Sequence, residues 1–158
     1  MKKVLIYVVI FLFGSGSGAA ALVLGAPSLL SHNPRPVVAS VPYNPATAIG
    51  VTQTGIESNL ATSGHYIRFD VEFSVTKAAL LAQGGSTTAA QGNTGTGSAQ
   101  LDAKIRNSLI NLARSTPYQE LTQSGGLSTF KTQVKGVLES IFGPGTIGPV
   151  YFSSLMTQ

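Results

Sequence analysis

The sequence predicts an α+β fold: a small antiparallel sheet with helices packed on one face, carried behind a single N-terminal membrane helix. Three observations predict it. Residues 64–75 alternate, with Ile67, Phe69, Val71, Phe73 and Val75 on one side of an extended chain and Tyr66, Arg68, Asp70, Glu72 and Ser74 on the other. Successive strand side chains point to opposite faces, so this is the pattern of a half-buried strand at the centre of a sheet. Later in the chain, apolar residues recur at helical spacing and need such a face to pack on. Residues 4–26, finally, contain no charge.

The uncharged run follows Lys2 and Lys3. About 22 apolar or small residues at roughly 1.5 Å each reach about 33 Å, enough to cross the core of a bilayer. Residues 1–3 are then cytoplasmic, residues 4–26 span the cell membrane among its lipids, and the remainder is extracytoplasmic, because basic flanks are retained inside. A cleaved signal peptide is the rival reading, with Ala19-Ala20-Ala21 resembling a processing site. The apolar run continues through Leu22-Val23-Leu24, beyond the roughly 7–15 residues of a signal core, which favours the anchor. Gly14, Gly18, Ala21 and Gly25 share one face of that helix, where small residues let a second membrane helix approach closely.

Residues 27–46 hold Pro27, Pro34, Pro36, Pro42 and Pro45 and form a semi-rigid linker to a folded domain over 47–158. A weaker strand over 49–60 and the turn residues Thr62-Ser63-Gly64 lead into the strong strand as an antiparallel hairpin. Residues 84–98 are rich in Gly, Thr and Ser and are expected to be a flexible insertion, with too little apolar surface to offset ordering entropy. Leu101, Ile105, Leu109 and Leu112 mark one helix, with Asp102 in its first turn and Arg114 in its last. Thr116 as cap, Pro117 at the first position and Gln119 closing a capping box predict a second, short helix. Leu127, Phe130, Val134, Val137, Leu138 and Ile141 predict a third, stopped by Phe142-Gly143-Pro144. Residues 150–158 carry apolar side chains on both alternating faces, which suggests a strand inside the sheet.

Composition excludes much chemistry. Ten Lys+Arg stand against six Asp+Glu, but two of the basic residues are Lys2 and Lys3, and the rest form no cluster able to track a phosphate backbone. Nucleic acid is not a partner on this reading. Only 10% of residues are charged against roughly 25% in ordinary soluble domains. There is no cysteine, and of the two histidines His32 is a solvated linker residue and His65 a polar or exposed residue beside the turn, so neither a disulfide nor a metal site is expected. Asp70 and Glu72 share the polar face with Arg68 and read as a solvated row. No catalytic constellation, ligand site or cofactor motif is present, and the chain is not expected to be an enzyme.

The order of these stretches resembles the FliL family of flagellar basal body-associated membrane proteins. Ser58-Asn59-Leu60 shortly before Gly64-His65-Tyr66-Ile67-Arg68-Phe69 is similar to that family's first hairpin. Lys104-Ile105-Arg106-Asn107-Ser108-Leu109 resembles its Ile-Arg-centred helix, Thr116-Pro117-Tyr118-Gln119-Glu120-Leu121 its short capped helix, and residues 150–158 its closing strand. The Gly/Thr-rich insertion is longer and less charged than the connector usual there. The resemblance implies a domain similar to the stomatin-type (SPFH) module, with no catalytic residues. It also implies copies assembled as a homo-oligomeric ring beside the MotA/MotB stator units, supporting torque, swimming and swarming. Two other classes compete: an anchored module binding cell-wall polymer or another envelope protein, and a pilin-like subunit. The pilin reading is weakened by the absence of an acid anywhere in residues 4–26.

One expectation can be tested without any structure. Protein extracted from membranes should retain its N-terminal segment, and mass spectrometry should find no mature terminus near Leu22 or Ala26.

Overall fold

The computed structural model describes residues 42–90 and 95–158. The expected membrane helix and most of the linker lie outside the described residues. The elements are β1 (Ala48–Asn59), β2 (Tyr66–Thr76), α1 (Lys77–Ala82), α2 (Thr87–Ala90), α3 (Ala99–Ser115), α4 (Tyr118–Thr122), α5 (Gly126–Phe142) and β3 (Ile147–Thr157). The three strands form one antiparallel sheet in the order β1-β2-β3, so the strongly alternating segment is its centre. Ile67, Phe69, Val71, Phe73 and Val75 are buried, while Tyr66, Arg68 and Glu72 are exposed on the opposite face. The α+β architecture with its antiparallel sheet is as expected.

Helices cover the inner face alone among the described residues. α3 packs over β1, α5 packs over β3, and the two helices touch each other. α3 buries Leu101, Ile105, Leu109 and Ala113, and α5 buries Phe130, Val134, Leu138, Ile141 and Phe142. Leu112 was expected on the buried face of α3; Ala113 takes that place, since the stripe keeps a strict four-residue step, and Leu112 is only partly buried. Leu127 was expected in the core and is 47% exposed, because the first turn of α5 presents Gly126 inward instead.

Four further expectations are corrected. The short helix α4 starts one residue later than its sequence motif implies, with Pro117 as cap and no capping bond from Thr116. Thr116 is buried and donates to the carbonyl of Leu112 at 2.9 Å. The cap comes from the hairpin turn: Thr62 Oγ1 accepts from the N–H of Tyr118 at 3.0 Å and donates to Gln119 Oε1 at 3.3 Å. β3 begins at Ile147 and is an edge strand rather than an interior one; Pro149 within it fits an edge, where a missing N–H costs no ladder bond. The helix α1 was not foreseen. Thr76 caps it, accepting from Ala79 N–H, and Leu80 is fully buried.

The insertion is the fourth. Within 84–98, α2 is helical, and residues 95–98 are tied to the sheet; residues 91–94 lie outside the described residues. Gly95 N–H donates to Thr52 O at 2.8 Å. Thr96 is buried, and its N–H donates to Asp102 Oδ1 at 2.8 Å, which also accepts from Gln53 Nε2 at 2.7 Å. Hydrogen bonds rather than apolar burial order this end, which composition alone does not reveal.

The chain enters the described domain across the start of β3. Tyr43 N–H donates to Gly145 O at 2.8 Å, and the Tyr43 ring lies where a β-carbon on Gly148 would stand. Only glycine permits that approach.

Two tests follow from this packing. Phe69→Ala should cost about 3–5 kcal/mol and Glu72→Ala no more than about 0.5 kcal/mol, read from urea midpoints. Gly148→Ala should push the Tyr43 ring off the strand, and limited chymotrypsin should then cut after Tyr43 faster than in the parent protein.

Candidate interaction surface

The residues singled out for chemistry are separated by the fold. Asp70 Oδ1 accepts from Gly55 N–H at 2.6 Å, so its carboxylate serves the backbone of β1. Glu72 stands exposed on the outer face, opposite Thr52 and Tyr151 in the sheet register. Arg68 pairs at 3.3 Å with Glu57 of β1, not with either acid of its own strand. Both partners are more than half exposed, so the pair adds little stability. His65 is half-buried and stacks on Tyr118, with ring centroids 3.9 Å apart and planes 11° from parallel. Among the described residues no group of three His, Cys, Asp or Glu side chains is placed to hold a metal ion.

Gly55 explains why Asp70 is needed. The β1–β2 register shifts between Gln53 and Ile56, so Thr54 and Gly55 oppose the single residue Asp70. Gly55 has a φ of +64°, a left-handed conformation that favours glycine at such a bulge. Arg106 of α3 donates to the Gly55 and Thr54 carbonyls at 3.0 Å each. The Ile-Arg pair of that helix thus has two structural jobs: Ile105 fills the core and Arg106 holds the bulge.

What the described domain offers to a partner is surface. Tyr151 and Met156 of β3, opposite Glu72 and Arg68 in the register, are 57% and 52% exposed on the side of the sheet that no described helix covers, and Tyr66 of β2 is exposed two residues before Arg68. At the other end of β3 an open groove of about 650 Å³ runs between the strand and α5. Its walls include the rings of Tyr43 and Tyr151, and its rim carries Lys131 and Lys135. The Lys131 ammonium lies 5.4 Å from the Tyr151 ring centre, within cation–π range. Lys135 makes one loose contact, 4.0 Å, to Glu139. Sequence reasoning passed over these lysines; their i, i+4 spacing on the polar side of a clear amphipathic helix was the available signal.

Among the described residues no helix is long and apolar enough to cross a membrane. The small-residue face of Gly14, Gly18, Ala21 and Gly25 lies outside them.

No curated protein matches the chain. The family described as flagellar basal body-associated protein FliL matches residues 53–158, from the middle of β1 to the last residue. A match over that length takes in the hairpin, the helices that cover it and the closing strand together, and the chain belongs to the FliL family of flagellar basal body-associated proteins.

Proposed function

We propose that this protein acts at the bacterial flagellum as a non-enzymatic partner of the MotA/MotB stator units, supporting torque in swimming and swarming as an oligomeric ring. The family match across the folded domain carries the reading. Two features support it. Among the described residues helices occupy only one face of the sheet, and the other presents Tyr66, Tyr151 and Met156 for protein contact. The polar groups of the domain, besides, are engaged in holding backbone: Asp70 and Arg106 at the bulge, Asp102 at the start of α3.

In this reading a helix over residues 4–26 anchors the chain in the cell membrane, with the N-terminus cytoplasmic and residues 47–158 outside. The face of Gly14, Gly18, Ala21 and Gly25 meets a second membrane helix, either of another copy or of a stator unit.

Deleting the gene should slow swimming or swarming while filaments are still built, because torque rather than assembly is affected. Crosslinked membranes should yield MotA or MotB together with this protein. Gly14→Leu/Gly18→Leu should weaken that recovery without changing expression. Normal motility in the deletion strain, together with no stator protein in the crosslinked fraction, would reject the proposal.

A further inference from the structure

We infer that the groove between α5 and β3 receives an extended peptide segment carrying two carboxylates two residues apart, added to β3 as a further strand. Four observations converge on it. β3 pairs with β2 alone among the described strands, so its outer edge offers backbone carbonyls and, Pro149 apart, N–H donors. Such an edge is the template for strand addition. Along this edge the Tyr43 ring covers Gly148, and the groove beyond it has the buried pair Ile147 and Val150 as its floor. None of the groove residues is acidic, and two of them are lysines.

The spacing of those lysines defines the ligand. Lys131 and Lys135 are four residues apart on α5, which is about 6 Å along a helix axis. Alternate residues of an extended chain lie on one face about 6.6 Å apart. A strand lying on β3 therefore brings side chains i and i+2 opposite the two ammonium groups, and acids at those positions match them in sign and step. A free phosphate or a lipid headgroup fits less well. An anion gains from N–H groups but is repelled by the carbonyls that alternate with them along a strand edge, whereas a peptide uses both. The tyrosine rings at the two ends, Tyr43 and Tyr151, bound the strip that a short segment would fill.

This inference does not depend on which flagellar component is the partner, and its test uses none of them. Full-length protein in detergent is titrated against a fluorescein-labelled octapeptide of alternating Thr and Glu. Controls are the Thr/Gln and Thr/Lys versions and a Thr/Glu version with one central Thr replaced by Pro. The Thr/Glu peptide should bind, at least tenfold tighter than the Thr/Gln and Pro-containing peptides, and more weakly as salt rises. K131Q/K135Q should weaken it at least tenfold with an unchanged thermal melt. The charge reversal K131E/K135E should reject Thr/Glu and bind Thr/Lys, which a merely unfolded variant would not do. Equal binding of the Pro-containing peptide, or indifference to both double variants, would overturn the proposal. So would lysine-dependent binding of phosphatidylglycerol vesicles with no binding of the peptide, which would make the groove a lipid site.

Discussion

Phe69 has no exposed surface, and its ring meets Phe130 edge-on at 5.6 Å and Phe152 edge-on at 5.8 Å, while those two stack at 5.6 Å. The three rings come from β2, α5 and β3, so one cluster joins the central strand, the long C-terminal helix and the closing strand. Edge-to-face pairs contribute roughly 0.5–1.5 kcal/mol beyond the area they bury. The larger consequence is geometric. A three-stranded sheet with one covered face has no second layer to correct a slipped register, and a shift of one residue would turn every inward side chain of β2 toward solvent. Ring packing at Phe69 fixes that register and sets where α5 lies along the sheet. The positions of Lys131 and Lys135 relative to β3 follow from it.

The other half of the domain is held by polar clamps. Asp102 and Arg106 stand one helical turn apart on α3 and both reach β1. Asp102 binds Gln53 and the Thr96 backbone, and Arg106 binds the two carbonyls of the bulge. Gln53 is only 3% exposed. Burying an amide without partners would cost roughly 1–3 kcal/mol, and the Asp102 bond offsets that. The bulge at Gly55 increases the local twist of β1, and Asp70 from β2 holds the same glycine by its N–H. Three side chains from two elements thus converge on the three residues Gln53 to Gly55 of an edge strand, which stops β1 from lying flat as a template for indiscriminate pairing.

Periodicity made the fold class readable. The inward face of β2 and the stripes of α3 and α5 are local patterns, and each appears in the structure within a residue or two of its expected place. Two of the failures share one cause: the deciding partner is distant in sequence. Thr62 caps a helix that starts more than fifty residues later, so the motif at Thr116 pointed to the wrong oxygen. Asp102 looked like a dipole partner and is also the hub that orders Thr96. Gly148 carried no sequence signal at all until Tyr43 was seen to lie across it. The candidate surface was least legible, because exposed lysines on a helix are ordinary until a free strand edge is found beside them.

The edge of β3 differs from that of β1 in how it is guarded. β1 is bent by its bulge and overlain by α3. β3 carries Pro149 and two register shifts against β2, the first of which leaves Ser153 without an opposite residue. Prolines and bulges interrupt a strand edge and limit it to short contacts, which prevents open-ended stacking of copies while leaving room for a defined segment. Tyr43 narrows the choice further, since its ring lies against Gly148 near the start of the strand. What remains free is a stretch flanked by a helix with two ammonium groups, and charge is the feature that separates a wanted strand from an unwanted one at such an edge. Selectivity at such an edge resides in which backbone the domain allows to pair with its own.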